Sequence, residues 1–106
     1  MDWIHLEDYS QIQGALENTV PFLIFKHSTR CSISSMAKNR FERNFDLEDV
    51  KVFYLDLIKY RSISNQLASD FNVHHESPQL MYIKEGLCLY HASHGAINVD
   101  DLKASI

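Results

Sequence analysis

Two short apolar runs constrain the fold of this chain more than any other feature of its sequence. The run "PFLIFKHS" (21–28) lacks clean alternation in its first half, which is typical of a strand covered on both faces. The run "VKVFYLDL" (50–57) is rich in β-branched and aromatic residues and predicts a second strand. A strand that is covered on both faces needs helices on each side of its sheet, so helices should occur between the strands.

Helical periodicity is present before, between and after these runs. Residues 8–18 predict a helix with Asp8 as its N-cap, and residues 62–72 carry apolar side chains every four positions. From Ser32 to about Phe45 apolar residues recur at spacings of three and four, which predicts an amphipathic helix with this apolar stripe: Ile33, Met36, Ala37, Phe41 and Phe45.

The two ends of the chain complete the pattern. Residues 3–6 predict a short first strand, residues 79–93 a hairpin with Glu85 and Gly86 at its tip, and residues 98–106 a closing helix. The order β-α-β-α-β-α-β-β-α predicts a parallel α/β core with right-handed crossovers and an added antiparallel hairpin. This is the element order of the thioredoxin-like fold, a central mixed sheet flanked by helices.

Composition and charge further limit the class of protein and its partners. A chain of 106 residues suits a single domain spanning 1–106, and its net charge of -4 with scattered Lys and Arg predicts no nucleic-acid binding. The longest apolar run is too short to span a bilayer, and the start shows no signal-peptide pattern. Two cysteines without an export signal favour a reducing compartment. We therefore expect a cytoplasmic protein with no membrane or nucleic-acid partner.

Cys31 stands where the second predicted helix begins. Unpaired backbone N–H groups and the helix dipole favour an anion there, so we expect a reactive thiolate. Arg30 and Lys26 are basic neighbours in the sequence and are expected to stabilise the thiolate too, and Ser28 and Thr29 make the surroundings polar. These neighbours argue against the alternative that Cys31 is an inert, buried side chain.

Ser34 stands three residues after Cys31, where dithiol oxidoreductases carry a second cysteine. Serine forms no disulfide, but its hydroxyl can donate a hydrogen bond to a thiolate one helical turn away. The chemistry would then stop at a mixed disulfide until an external thiol arrives. The sequence therefore predicts a monothiol mechanism.

The hairpin register predicts the surroundings of Cys31. With Glu85 and Gly86 as the tip, Cys88 pairs with Ile83, on the order of 15 Å from Pro78, and is interpreted as structural. In the same register Ser93 lies opposite Pro78.

This register returns the chain to the Cys31 end, so His94 and Gly95 should lie beside the active cysteine. Gly95 would allow backbone close to a bound thiol, and His94 would donate to a ligand carboxylate or to the leaving sulfur. The alternative is that His94 is a solvated loop residue.

The even spacing of Cys88, His91 and His94 is compatible with a metal site, but we do not expect one. On a regular strand Cys88 and His94 would share one face and His91 would take the other, so no tetrahedral site follows. His74 and His75 are expected to be solvated in a turn.

The stretch "FKHSTRCSIS" (25–34), the later "SPQ" (77–79) and the element order resemble the monothiol bacilliredoxins, also called bacillithiol system redox-active proteins. The resemblance covers nearly the whole chain. It implies that Cys31 attacks S-thiolated client proteins and takes bacillithiol, or another low-molecular-weight thiol, onto itself as co-substrate, with no bound cofactor. It also implies that Pro78, preceded by Ser77, is the cis-proline facing the cysteine.

Two positions depart from related patterns. Members of the family often carry proline where this chain has Ser32, and dithiol thioredoxins carry a buried acid where this chain has Phe25. Without a second thiol no proton shuttle to it is needed, so Phe25 agrees with a monothiol mechanism.

Two alternative functions fit the sequence. The first is a non-enzymatic thioredoxin-like adaptor that holds an extended peptide at Pro78. The second is an iron–sulfur carrier of monothiol-glutaredoxin type, which would need dimerisation because no second cysteine accompanies Cys31.

Overall fold

Five strands form one sheet in the order β1-β3-β2-β4-β5 in the computed structural model, which describes residues 1–106. β1 and β2 each pair in parallel with β3, whereas β4 pairs antiparallel with both β2 and β5. The predicted mixed sheet with a parallel core and an antiparallel hairpin is thus confirmed. The strands are β1 Trp3–His5, β2 Phe22–His27, β3 Lys51–Asp56, β4 Gln79–Lys84 and β5 Leu87–Ser93.

Four α-helices and one 3₁₀ helix flank the sheet, and their order is the predicted one with the 3₁₀ helix added after β5. No helix is both long enough and apolar enough to cross a membrane. The helices are α1 Ser10–Leu16, α2 Ser32–Asn44, α3 Arg61–Asp70, the 3₁₀ helix His94–Ala96 and α4 Val99–Ala104.

The central strand β2 divides the hydrophobic core into two clusters. All six β2 residues are buried, as its continuous apolar sequence predicts. Phe22 and Ile24 point into a cluster with α1 and α3, which we call the α1/α3 face. Leu23 and Phe25 point into a second cluster with α2 and α4, the α2/α4 face. Alternation along the strand therefore assigns each β2 side chain to one helical layer.

The N-terminus of α1 differs from the prediction. Tyr9, not Asp8, occupies the N-cap position of this helix. The Asp8 carboxylate nevertheless accepts a hydrogen bond from the Ser10 N–H at 2.8 Å, so it satisfies one of the unpaired donors of the helix start from one residue before the N-cap position.

The apolar stripe of α2 was predicted only in part. Ala37 and Phe41 are buried, but Ile33 and Met36 are 59% and 67% exposed. The buried stripe begins at Ser34, so Ile33 and Met36 lie on the neighbouring, outward face. The prediction from apolar periodicity was wrong here because a serine fills the first buried position.

A bulge in β5 shifts the predicted hairpin register. Ile83 pairs with Cys88 as predicted, but Tyr82 then pairs with Tyr90, which leaves Leu89 as an extra residue. Ser93 consequently faces Gln79, and its predicted pairing with Pro78 was wrong.

The bulge also changes which side chains share a face of the sheet. Cys88 packs on the α1/α3 face, and His91 lies opposite Met81, which belongs to that same cluster. The predicted separation of Cys88 from His91 was therefore wrong. No group of three or more His, Cys, Asp or Glu side chains could hold a metal ion.

Candidate active site

Cys31 lies at the end of a tight turn that joins β2 to α2. Its N–H donates to the Ser28 carbonyl at 3.2 Å, which closes a four-residue turn whose central residues, Thr29 and Arg30, are exposed. The Cys31 side chain itself is partly exposed, and its thiol is free. The turn thus presents the sulfur at the surface, at the carboxyl end of the central strand.

Cys31 is also the N-cap residue of α2. Its carbonyl accepts from the Ser35 N–H at 3.1 Å and so begins the helix, while its side chain caps no backbone N–H. The first turn of α2 contains no acidic residue. Cys31 thus lies at the positive end of a 13-residue helix, and no acidic side chain of the first turn opposes that polarity.

Ser34 is fully buried, and its hydroxyl is hydrogen-bonded to the end of β2 and to the turn that follows it. Its hydroxyl oxygen accepts from the Ser28 N–H at 3.1 Å and lies 2.8 Å from His27 Nδ1. A hydrogen bond therefore joins the Ser34 hydroxyl to the His27 ring. The predicted hydrogen bond from Ser34 to Cys31 is absent, because the Ser34 hydroxyl bonds to Ser28 and His27 instead.

Burial lowers the pKa of His27, and the nearby Lys38 acts in the same direction. Neutral imidazole is therefore favoured at this position. This pair fixes the first turn of α2, which carries Cys31 at its start, to the end of β2.

The Lys26 side chain lies on the face of the sheet opposite to that of His27. Its Nζ lies 3.2 Å from the Ser64 carbonyl oxygen and 3.3 Å from His75 Nδ1, and the Ser64 hydroxyl is 3.0 Å from the same nitrogen. Lys26 was expected to act on the Cys31 thiolate, and His75 was expected to be solvated. The structure instead joins both in a polar cluster on the α1/α3 face, in which Lys26 is buried and His75 is partly exposed.

The segment before β4 lies beside the end of β2. Lys26 pairs with Gln79 across the two strands, so Pro78 and Cys31 are at the same end of the sheet. The Ser77–Pro78 peptide bond is cis, and the buried Ser77 hydroxyl makes no hydrogen bond. The Gln79 amide nitrogen donates to the His74 carbonyl at 2.9 Å, which folds residues 74–79 back on themselves.

His94 follows β5 directly and lies opposite Pro78. Its N–H donates to the Pro78 carbonyl at 3.0 Å, and its Nδ1 is 3.5 Å from the Glu76 carboxylate. His94 has a φ of 55°, whereas Gly95 has no positive φ, and a Cβ at Gly95 would meet no atom within 4 Å. Neither backbone conformation nor crowding therefore requires glycine at this position.

The 3₁₀ helix and α2 enclose a shallow hollow of about 110 Å³. It brings His94 and Gly95 next to the exposed apolar residues that follow Cys31 on α2. Its lining residues are Ile33, Met36, Ala37, Arg40, His94 and Gly95.

Cys88 belongs to the opposite end of the hairpin. It packs against the cluster on the α1/α3 face, and its thiol donates to the Tyr90 carbonyl at 3.3 Å. Burial raises the pKa of the Cys88 thiol. Cys88 pairs with Ile83, four residues from Gln79, which is roughly 13 Å along the strand.

Sequence reasoning missed the polar partners beneath this site, His27, Ser64 and His75. The available signal was "KH" at 26–27, two polar residues that end an otherwise apolar strand. Binding sites form at the carboxyl edge of a parallel sheet. Polar residues at the end of β2 therefore indicated that further polar partners lie beneath the site.

The fold and the site together define a class, a thioredoxin-fold protein with one partly exposed cysteine at the start of a helix and serine three residues on. Several thioredoxins share the fold, among them a mutant thioredoxin from Halobacterium salinarum NRC-1 (17% identity, TM-score 0.70, 97% of this chain and 86% of that one). A thioredoxin from Trypanosoma brucei brucei is 13% identical, with a TM-score of 0.74 over 98% of this chain and 87% of that one.

A solved thioredoxin-fold protein described as a candidate oxidoreductase is more similar in sequence, at 32% identity. Its TM-score is 0.86, and the match covers 97% of this chain and 92% of that one. The family model "Monothiol bacilliredoxin BrxC" matches residues 4–102. The chain belongs to the monothiol bacilliredoxin BrxC family, as the resemblance in its sequence indicated, and this family membership implies a role in thiol redox chemistry.

Proposed function

We propose that this protein removes bacillithiol from mixed disulfides on client proteins, with Cys31 as the attacking sulfur. The observation that carries the proposal is the environment of Cys31. It is a partly exposed thiol at the start of α2, and the position of a resolving cysteine is filled by the buried, hydrogen-bonded Ser34. Thiol–disulfide exchange at such a site needs an external thiol to complete the cycle.

The exchange has two balanced steps. The Cys31 thiolate attacks the bacillithiol sulfur of the mixed disulfide, forms a new S–S bond and releases the client thiolate, which takes a proton from water. A free bacillithiol thiolate then attacks the bacillithiol sulfur on Cys31. This second step yields the bacillithiol disulfide and regenerates the Cys31 thiolate. No resident cofactor takes part.

Four further residues are proposed to contact the substrate: Ser77, Pro78, His94 and Gly95. They come from two segments that meet through the bond between the His94 N–H and the Pro78 carbonyl. The neighbouring Ile33 and Met36 expose apolar surface on the α2 side. A client protein that reaches Cys31 would contact this surface, which supports a protein substrate in addition to the small thiol.

Intact-mass analysis tests the proposal with a matched pair of variants. Wild type and Cys88→Ser should each gain the mass of one bacillithiol from an S-bacillithiolated protein, whereas Cys31→Ser should gain none. Continued removal of the thiol by Cys31→Ser, or a disulfide between Cys31 and Cys88 in the peptide map, would reject the monothiol mechanism.

The identity of the thiol is tested separately, with the same client carrying bacillithiol, cysteine or coenzyme A. The bacillithiol form should react fastest. A preference for another thiol would remove bacillithiol as co-substrate and leave monothiol exchange intact.

A further inference from the structure

Lys26 is a buried cation that the exchange chemistry does not use. Its side chain is 0% exposed, and lysine is rarely buried to this degree without a charged partner. No salt bridge in the structure involves Lys26, because its partners, the Ser64 carbonyl and the His75 imidazole, are uncharged acceptors. A buried charge without a countercharge destabilises a fold. Fold stability therefore does not explain why lysine occupies this position.

We propose that Lys26 is a positioning residue for the exchange reaction proposed above, on which this inference rests. By binding both α3 and His75, it holds residues 74–79 against the sheet, at the same end as Cys31.

The contacts of His75 support this role. The Lys26 ammonium can only donate, so His75 Nδ1, 3.3 Å away, is the acceptor and the ring carries its own proton on Nε2. The Ser64 hydroxyl lies 3.0 Å from the same nitrogen and shares its single lone pair with the ammonium. Burial is the main cause of the lowered pKa of His75, with Lys26, Arg61 and His74 acting in the same direction and Glu76 against it. The neutral ring thus links the 74–79 segment to the lysine.

The same segment is tied to the opposite side of the site. Gln79, the cross-strand neighbour of Lys26, donates to the His74 carbonyl, and the Pro78 carbonyl accepts from the His94 N–H. Residues 74–79 are therefore held between Lys26 and the end of β5. Loss of the Lys26 contact should loosen Pro78 and, through it, His94.

Replacement by methionine isolates this role, because it keeps the length and apolar stem of the side chain. It leaves no buried group without a partner. The Ser64 carbonyl lies within α3, where helix N–H groups also donate, and the Ser64 hydroxyl still reaches His75. Lys26→Met is thus expected to fold, and Lys84→Met at the hairpin end of β4 is the matched control.

The experiment combines three measurements on wild type, Lys26→Met and Lys84→Met. Exchange with an S-bacillithiolated protein should fall about tenfold in Lys26→Met, because small displacements of a substrate-positioning segment reduce rates strongly. Alkylation of Cys31 by iodoacetamide should stay unchanged, since Lys26 does not contact the sulfur. Hydrogen exchange of the His94 amide should accelerate several-fold, while the Leu57 amide, bonded to the His27 carbonyl, stays protected. Lys84→Met should match wild type throughout.

A stable Lys26→Met protein with wild-type exchange and an unchanged His94 amide would overturn the inference, as would an equal loss in Lys84→Met. If wild type transfers no thiol, the proposed function fails, and the His94 amide alone decides whether Lys26 positions the segment. His75→Ala removes the same contact from a partly exposed loop residue. It should reproduce the loss if Lys26→Met does not fold, and wild-type behaviour of His75→Ala would then reject the inference.

Discussion

Lys26 and His27, the last two residues of β2, anchor two different parts of the site. Alternation along the strand sends Lys26 to the α1/α3 face and His27 to the α2/α4 face. His27 binds Ser34 in the first turn of α2, whereas Lys26 binds His75 in the segment before β4. One strand end thus fixes both the helix that begins at Cys31 and the segment that contains Pro78.

The buried lysine makes stability depend on pH. Burial lowers the pKa of Lys26 from 10.5 to about 8. Between these two values the folded state binds fewer protons than the unfolded state, so the free energy of unfolding rises with pH and falls as pH drops towards 8. Below pH 8 both states carry the charge, and the full penalty remains.

We therefore expect Lys26→Met to be more stable than wild type at pH 7, by on the order of 3 kcal/mol, and the difference to shrink towards about pH 10. Urea denaturation of both proteins at intervals of about one pH unit from roughly 7 to 10 measures it. Subtracting one protein from the other cancels tyrosine and cysteine ionisation that both share. A difference that is constant over this range would show that Lys26 does not titrate in the fold.

At the scale of elements, the β4–β5 hairpin shows how a turn and a bulge together set the site. Glu85 and Gly86 have φ values of 54° and 78°, the left-handed pair of a type I′ turn. The turn sets the register at Cys88, and the extra residue Leu89 then shifts it by one. Because of that shift His94, not Ser93, meets Pro78.

The same substitution at two glycines should have opposite effects. Gly86→Ala places a Cβ on left-handed backbone and should lower the free energy of unfolding by about 1 kcal/mol. Gly14→Ala, at an exposed position of α1 with no atom near the new Cβ, should raise it by roughly 0.5–1 kcal/mol. Thermal denaturation of both variants beside wild type decides the signs, and equal signs would contradict the assigned conformations.

At the scale of the whole molecule, the two core clusters are coupled because they share strands. β2 and β4 contribute residues to both, so neither helical layer can separate from the sheet without affecting the strands that support the other. Phe41 anchors α2 on one face and Leu67 anchors α3 on the other, and both side chains are buried.

Truncation of either side chain should therefore destabilise the whole domain, because both helical layers unfold together. We expect Phe41→Ala and Leu67→Ala each to lower the free energy of unfolding by about 2–5 kcal/mol. Far-UV circular dichroism and Trp3 fluorescence should report the same midpoint in each variant, since Trp3 packs on the α2/α4 face. Separate midpoints in Leu67→Ala would show that the two faces unfold independently.

The local sequence pattern was sufficient for the element order, the mixed sheet and the placement of Cys31 at the start of α2. Those features depend on apolar periodicity and on where a strand gives way to a helix, and both are properties of neighbouring residues. The pairing of Cys88 with Ile83 and the hairpin tip followed from turn chemistry for the same reason. The family resemblance came from the contiguous residues around Cys31.

Tertiary structure alone decided the rest. The Leu89 bulge, the outward faces of Ile33 and Met36, and the burial of Lys26 depend on which side chains fill the space between the sheet and its helices. Such packing brings together residues that are far apart in the chain, such as Lys26 with Ser64 and His75. A local sequence pattern contains no information about these contacts. From sequence alone, a lysine in a strand is expected to be exposed. Only the tertiary structure shows that a carbonyl of α3 accepts its hydrogen bond inside the fold.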